Sequence, residues 1–229
     1  AASSAGVFVA NCPGKNSIAV AELAWGLILA SDRRIAAQDH ELKLGQWNKK
    51  AYSKARGIYG RTLGIIGLGT IGRAVAERGL AFGMRVVAWS RSLSPEQAET
   101  LGVERASSAM DVARVADVLT VHLAACPETE GLVSREMVAA MREGAIFINT
   151  SRGSVVDEAA LLEGIEQKGI RAGLDVYANE PGSGGKEFDS ALAKNVGTVG
   201  THHIGASTDQ SQEAIAAEVA RIVCDFSEA

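Results

Sequence analysis

Three side chains capable of acid–base and anion-binding chemistry follow three successive segments that are predicted as buried β-strands. They are Arg152, Glu180 and one of the adjacent residues His202 and His203. The carboxyl ends of strands in an open α/β sheet line the ligand crevice, so we expect these side chains to lie close together. A guanidinium can hold a carboxylate with two parallel N–H donors, and a histidine beside a carboxylate favours the imidazolium form needed for proton transfer near neutral pH. Beside a nicotinamide, the set could reduce a carbonyl, with the histidine as acid, Glu180 as its orienting partner and Arg152 as the substrate clamp.

These side chains also have interpretations other than catalysis. Arg152 could form only a surface ion pair with Glu158. The two histidines could suggest a metal site, but adjacent side chains of an extended segment point to opposite sides, and no third ligand stands at metal spacing. We therefore expect no metal.

A glycine-rich turn supplies a second kind of chemistry, phosphate binding. The segment 63–66 is predicted as a strand and runs directly into GLGTIG, after which a helix is predicted. Here Gly67 permits a tight turn, Gly69 lets backbone amides approach a pyrophosphate, and Gly72 allows close packing of helix and strand. The helix N-terminus faces the anion. The predicted phosphate-binding residues are Gly67, Gly69, Thr70, Ile71 and Gly72; a glycine turn that binds no nucleotide is the alternative.

The residues after the second predicted strand bear on which dinucleotide binds. An acidic residue that binds the adenosine ribose is expected about 20 residues after the glycines, and Ser90, Arg91 and Ser92 stand there instead. A carboxylate would repel a 2′-phosphate, whereas hydroxyls and a guanidinium can bind it. The cofactor is thus NAD(P), with NADP(H) favoured; an exposed Arg91 and NAD bound without the acidic contact are the alternative. The predicted cofactor site also includes His122 and Thr150.

The hydrophobic pattern predicts the elements that must position these groups. From residue 61 onward, apolar runs alternate with helical patterns, which indicates an α/β fold with a doubly wound parallel sheet covered on both faces. The predicted strands are 62–67, 85–89, 118–123, 145–149, 170–175 and 196–199. The predicted helices are 71–82, 95–101, 109–115, 134–141, 158–168 and 208–226. A glycine-rich patch at 182–185 is predicted to be a loop tip.

The first 60 residues have a different pattern. Residues 7–10 are predicted as the end of a strand, and 18–35 carry a broad apolar face that predicts a long, mostly buried helix. Residues 39–60 lose the periodicity and are predicted to form an irregular arm. Its large aromatic residues are candidates for a subunit contact or for a small cluster under the loop: Trp47, Tyr52 and Tyr59.

Length and composition exclude several classes of protein. The chain has 229 residues, enough for one large domain or for one domain and part of a second, and 47% hydrophobic with 22% charged residues is typical of a compact soluble domain. A net charge of −4 provides no global positive field for nucleic acid or anionic lipid, so we expect a small-molecule partner and neither nucleic acid nor membrane. The three cysteines form no CxxC pair, as expected in a reducing cytoplasm, where we place the protein.

The motifs together resemble the D-isomer-specific 2-hydroxyacid dehydrogenases, and within them the 3-phosphoglycerate dehydrogenases. The matching segments are NCPGKNSIAVAELAWGLIL, RTLGIIGLGTIGRAVAERGLAFGMRVVAWSRS, PETEGLV, INTSRGSVVDEAALLEGI, AGLDVYANEP and HHIGASTDQSQEAIAAEVA. The resemblance implies that Arg152 binds the substrate carboxylate, that Glu180 partners the histidine, and that His203, rather than His202, is the proton donor. It also implies that Asp175 contacts the nicotinamide carboxamide.

The activity implied by this resemblance is hydride transfer between a nicotinamide dinucleotide and C2 of a D-2-hydroxy acid or 2-oxo acid, by a cytoplasmic homodimer in serine biosynthesis. Ser90 stands where NAD-using phosphoglycerate dehydrogenases usually carry Asp, and residues 89–92 are similar to NADPH-using reductases. A hydroxypyruvate or glyoxylate reductase is therefore an alternative. A dinucleotide-sensing interaction protein similar to the C-terminal-binding corepressors is an alternative of another class.

The resemblance also implies a domain organisation. Residues 1–10 would be a remnant of a substrate-binding domain, and 11–205 a Rossmann-type NAD(P)-binding domain that includes a dimerisation helix and arm at 16–60. Residues 206–229 would be a C-terminal helix returning to the substrate-binding domain, which is incomplete in this chain. We expect the chain to bind dinucleotide and to be poor or inactive as a dehydrogenase on its own.

Overall fold

The structure is a computed structural model that describes residues 2–182, 185 and 187–227. Within these residues the helices are α1 (Ser17–Arg33), α2 (Ile35–Lys43), α3 (Lys49–Tyr52), α4 (Thr70–Ala81), α5 (Pro95–Thr100), α6 (Ala109–Val115), α7 (Arg135–Ala140), α8 (Glu158–Lys168), α9 (Ala191–Lys194) and α10 (Asp209–Ser227). The strands are β1 (Thr62–Ile66), β2 (Arg85–Trp89), β3 (Glu104–Arg105), β4 (Val118–Val121), β5 (Ile146–Asn149), β6 (Arg171–Leu174) and β7 (Thr198–Gly200). Short 3-10 turns lie at Ser3–Ala5 and Gly153–Val155.

The seven strands form one parallel sheet in the order β3-β2-β1-β4-β5-β6-β7. The chain proceeds from β1 to β3 on one side and then crosses to β4 on the other, so the strand order reverses between β1 and β4. At that point Ile66 pairs with both Trp89 and Val121. In open sheets of this kind the ligand crevice lies beyond the carboxyl ends of the strands at this reversal. The predicted doubly wound, Rossmann-type fold is confirmed.

Helices cover both faces of the sheet. On one face Trp25 and Ile28 of α1 and Val75 of α4 pack on the strands, and on the other face Val112 of α6 and Leu161 of α8 do so. Since both faces are covered, all five residues of β1 and all four of β4 and β5 are buried. This explains why these strands are continuous apolar runs in the sequence rather than alternating ones.

The long, mostly buried helix predicted in the N-terminal region is confirmed as α1, but its predicted C-terminal bound and the prediction of an irregular arm are wrong. The helix predicted at 18–35 ends at Arg33, because Arg34 adopts a left-handed conformation (φ 54°, ψ 43°) from which α2 starts in a new direction. The arm predicted as irregular contains α2 and α3, neither of which has a buried residue. The sequence of α2, IAAQDHELK, is rich in good helix formers, so intrinsic propensity rather than an apolar face explains this helix.

Smaller differences concern short elements. Residues 7–10 lie outside the sheet, and Val9 is 72% exposed, so the strand predicted there is wrong. The two-residue β3 and the four-residue α9 were not predicted, being too short to show a period. Ser183 and Gly184 lie outside the described residues, so the loop tip at 182–185 stays a prediction, as does the domain organisation.

Among the helices of the described residues, none combines the length and the apolar character that crossing a membrane requires.

Candidate functional site

The turn between β1 and α4 is held by glycines at positions where a side chain would not fit. Gly67 has a φ of 96°, and a Cβ atom there would lie 2.2 Å from the carbonyl oxygen of His122, which follows β4. A Cβ on Gly72 would lie 2.1 Å from the carbonyl oxygen of Gly67. The turn therefore packs against the end of the neighbouring strand and against the first turn of α4, backbone to backbone.

The second glycine of the turn, Gly69, has open space where a side chain would lie. A Cβ atom on Gly69 would meet no protein atom within 4 Å, and Gly69 is the N-cap of α4, so the amides of the first helical turn are open to a ligand. A backbone cradle at a helix N-terminus binds phosphate through N–H groups and the helix dipole. The chain's own residues thus fit the pyrophosphate of a dinucleotide.

Two neighbouring cavities lie along the carboxyl edge of the sheet. The first has a volume of about 480 Å³ and the second about 300 Å³, and both are lined by Gly69 and His122. The predicted residues that line the first are Gly69, Thr70, Ile71, Gly72, His122, Thr150, Arg152, Asp175 and His203. Those that line the second are Gly67, Gly69, Ser90, Arg91, Ser92 and His122. Every predicted site residue except Glu180 therefore lines one of the two.

Glu180 lies directly behind His203. The Nδ1 atom of His203 is 2.7 Å from Oε2 of Glu180, and the other carboxylate oxygen accepts a hydrogen bond of 2.8 Å from the Tyr177 backbone amide. Because Glu180 engages Nδ1, proton exchange with a ligand in the cavity falls to Nε2. The other member of the histidine pair, His202, does not line either cavity.

Asp175 organises the turn that carries His203. Its carboxylate is 1% exposed and accepts hydrogen bonds from the Thr201 hydroxyl at 2.6 Å and from the backbone amides of Ile204 and Gly205 at 2.9 Å. The backbone amide of His203 donates to the carbonyl oxygen of Asp175 at 2.8 Å. These contacts hold His203 in a left-handed conformation (φ 53°) that is uncommon for a residue with a side chain. The contact of Asp175 with a nicotinamide carboxamide stays a prediction.

Arg152 lies in a turn that is held by the Asn149 side chain, whose amide nitrogen and oxygen both form hydrogen bonds to the turn. The Asn149 amide nitrogen donates to the Arg152 carbonyl oxygen at 2.9 Å, and its oxygen accepts from the Ser151 amide at 2.9 Å and the Ser151 hydroxyl at 2.8 Å. A Cβ atom on Gly153 would lie 2.1 Å from the carbonyl carbon of Tyr177, so this turn also packs directly on the segment that holds Glu180. The Arg152 side chain remains exposed at the cavity. The alternative ion pair with Glu158 is not formed: Glu158 accepts a hydrogen bond from the Ala178 amide.

Sequence reasoning missed several residues of this site. Asn149 and Gly153 shape the Arg152 turn, and Asn16 lines the first cavity. Each of them lies within a motif that points to other residues, and its role is visible only in the folded chain: the hydrogen bonds of Asn149 to its own turn, the packing of Gly153 on Tyr177, and the place of Asn16 in the cavity lining. Within the described residues, His, Cys, Asp and Glu side chains form no group of three or more that could hold a metal ion.

His122 is the one titratable group of the two cavities with a large pKa shift. Its Nε2 lies 2.9 Å from the Thr120 hydroxyl, whereas Nδ1 is buried and has no hydrogen-bond partner among the described residues. Burial lowers the pKa of His122 from 6.5 to about 4, so the ring is neutral at physiological pH.

This shift predicts a pH dependence of stability. Below pH 6.5 the unfolded chain binds a proton at His122 that the folded chain does not bind until about pH 4, so stability is lost as the pH falls through this window. The free energy of unfolding should fall in both proteins when the pH is lowered from 7 to 4. We expect the decrease to be about 2 kcal/mol larger in the wild type than in His122→Asn. Urea denaturation at both pH values measures this difference. The exposed His40, changed to Asn, is the control; equal losses in all three proteins would contradict the prediction.

Comparisons with known proteins agree with this geometry. The profile of the family described as "D-isomer specific 2-hydroxyacid dehydrogenase, NAD binding domain" matches residues 25–205. The chain is 40% identical to a D-3-phosphoglycerate dehydrogenase of Methanocaldococcus jannaschii over 96% of its length, but spans only 41% of that relative. It is 41% identical to a hydroxypyruvate reductase of Thermotoga maritima, over 93% of this chain and 68% of the relative. A solved D-lactate dehydrogenase from Aquifex aeolicus, complexed with NAD and lactic acid, superimposes with a TM-score of 0.87 at 29% identity, covering 99% of this chain and 71% of that one.

Proposed function

The chain belongs to the family of D-isomer specific 2-hydroxyacid dehydrogenases, and from this premise we propose that it is the dinucleotide-binding part of an oxidoreductase of the 3-phosphoglycerate dehydrogenase type. The reaction would be hydride transfer between the nicotinamide of NAD(P) and C2 of a D-2-hydroxy acid or 2-oxo acid. One observation carries the proposal: Arg152 and the paired His203 line the same cavity as the phosphate-binding turn.

The geometry supports the roles proposed for the residues. The nicotinamide, when bound, supplies or accepts the hydride. His203, through Nε2, donates a proton to the substrate carbonyl oxygen in reduction and accepts it in oxidation. Glu180 stabilises the imidazolium through Nδ1 and fixes the orientation of the ring. Arg152 holds the substrate carboxylate with two N–H donors, so that C2 lies next to His203.

Turnover assays test this proposal. A polypeptide extended to the length of the relatives is expected to interconvert 3-phosphoglycerate with its 2-oxo acid, or to reduce hydroxypyruvate or glyoxylate. The similarity to a hydroxypyruvate reductase supports the second of these activities. The 229-residue chain is expected to bind dinucleotide with little or no turnover. If the extended polypeptide binds dinucleotide but turns over no 2-hydroxy or 2-oxo acid, the result would contradict an enzyme and favour a corepressor-like dinucleotide sensor.

We further propose that NADP(H) is preferred, because Ser90, Arg91 and Ser92 line the second cavity. Losing a charge-assisted hydrogen bond to the 2′-phosphate should weaken NADPH binding to Arg91→Ala about tenfold while NADH affinity changes little. Titrating both dinucleotides by fluorescence measures this. An NADPH preference that is absent from the wild type, or that survives the substitution, would contradict the assignment.

We also propose a homodimer formed through α1 and the arm that follows it. The arm exposes large apolar side chains that a second copy could cover: Leu42 at 54%, Leu44 at 60% and Trp47 at 82%. Light scattering should give twice the chain mass of 23.8 kDa. A monomer would contradict this part of the proposal.

A further inference from the structure

The second cavity has a charged residue on each of two walls. One wall is the turn after β2, with Ser90, Arg91 and Ser92, and the other is the segment that follows β4. The lining residues that carry a full charge at neutral pH are Arg91 and Glu128. The cavity therefore holds one positive and one negative group, although the sequence around 90–92 suggests only a positive one.

The wall that carries Glu128 has a defined structure. Thr129 is 8% exposed, and its hydroxyl donates to the Ala124 carbonyl oxygen at 2.7 Å and accepts from the Cys126 amide at 3.0 Å. The Thr129 amide also donates to the Cys126 carbonyl oxygen at 2.9 Å. Hydrogen bonds from Thr129 to residues on the other side of position 128 thus fix the backbone from which Glu128 extends.

Glu128 is charged in this setting. Hydrogen bonds from the Cys126 side chain and from its own backbone amide lower the pKa of its carboxyl group, and attraction to Arg91 lowers it further. At neutral pH the carboxylate therefore repels any anion in the cavity, while its oxygens are acceptors for hydroxyl groups.

We propose that Glu128 is a specificity-determining residue for the dinucleotide, supplying from the wall after β4 the carboxylate that the end of β2 lacks. Opposite Arg91, it reduces the affinity for the 2′-phosphate of NADP(H) and accepts hydrogen bonds from the ribose hydroxyls of NAD(H). The two side chains together set the ratio of the two affinities. This inference rests on the proposed function, because it requires a dinucleotide in this cavity.

The effect should be electrostatic and therefore dependent on salt. Since Glu128 is exposed, the repulsion is modest, and removing it is expected to raise the ratio of NADPH to NADH affinity about fivefold at low ionic strength. Screening should reduce this gain markedly at ionic strengths near 0.5 M, since the Debye length is then only about 4 Å. A merely structural effect of the substitution would not depend on salt in this way.

The experiment is a titration of the 229-residue chain with NADH and NADPH by fluorescence or calorimetry. Glu128→Gln should raise the affinity ratio about fivefold and Glu128→Lys more, whereas Glu130→Gln, an exposed carboxylate of the same turn that does not line the cavity, should leave it unchanged. An unchanged ratio in both Glu128 variants, with the wild type binding dinucleotide, overturns the inference and leaves the proposed function intact. A wild-type chain that binds neither dinucleotide contradicts both.

Discussion

His203→Gln is expected to lower kcat for reduction of a 2-oxo acid by about 10³-fold, with the dinucleotide Kd unchanged. The substitution removes the group that exchanges a proton with the substrate, while the backbone of the turn remains held by Asp175. The loss should therefore appear in the chemical step and not in binding. Steady-state kinetics of the extended polypeptide, together with dinucleotide titration, separate these two effects.

Two further variants sharpen this prediction. Glu180→Gln keeps a hydrogen-bonding group near Nδ1 but removes the charge that stabilises the imidazolium, so kcat should fall less, by about tenfold. Arg152→Gln should act mainly through KM for the carboxylate substrate, raising it by about 100-fold. Wild-type turnover by His203→Gln would remove the proposed role of this histidine.

Gly67→Ala is expected to weaken dinucleotide binding about 100-fold and to destabilise the fold by about 2–3 kcal/mol. The new Cβ atom would have to enter a space 2.2 Å from the His122 carbonyl oxygen, at a φ of 96° that residues with side chains rarely adopt. The turn must therefore shift, and its amides would no longer point at the pyrophosphate. Dinucleotide titration and urea denaturation of the 229-residue chain measure the two effects.

Two other glycines of the chain separate strain from ligand contact. Gly131 has a φ of 60° with no atom within 4 Å of an added Cβ, so Gly131→Ala should cost about 1 kcal/mol of stability and leave binding unchanged. Gly69 lacks a positive φ and lines both cavities, so Gly69→Ala should leave stability unchanged and weaken binding. Unimpaired binding by both Gly67→Ala and Gly69→Ala would contradict a phosphate site at this turn.

The sequence predicted the parts of the site that depend on chain order. Arg152, Glu180 and His203 were placed together because each follows a strand, and parallel strands end at one edge of the sheet. The supporting contacts depend instead on how turns fold back on one another. Nothing in the motif containing Asn149 shows that its side chain bonds both Ser151 and the Arg152 carbonyl.

The sequence also does not predict which charged residues from different loops line the same cavity. Glu128 and Arg91 lie 37 positions apart, and the segment 90–92 by itself indicates only a positive charge at the cofactor site. At the N-terminal end, periodicity predicted the apolar face of α1 but could not show the left-handed Arg34, since a single backbone conformation has no periodic signal. The helix α2 is explained by the helix propensity of its residues and not by a hydrophobic pattern.

The reversal of strand order between β1 and β4 has a consequence for how such a protein can evolve. The loops after β2 and β4 line the second cavity, where we propose that the adenosine end of a dinucleotide binds, while the loops that carry Arg152, Glu180 and His203 follow β5, β6 and β7. Substitutions in one set of loops leave the other set, and the buried strands between them, intact. Cofactor preference and substrate range can therefore evolve separately. A few substitutions in one set of loops can change either property, and each intermediate variant still folds.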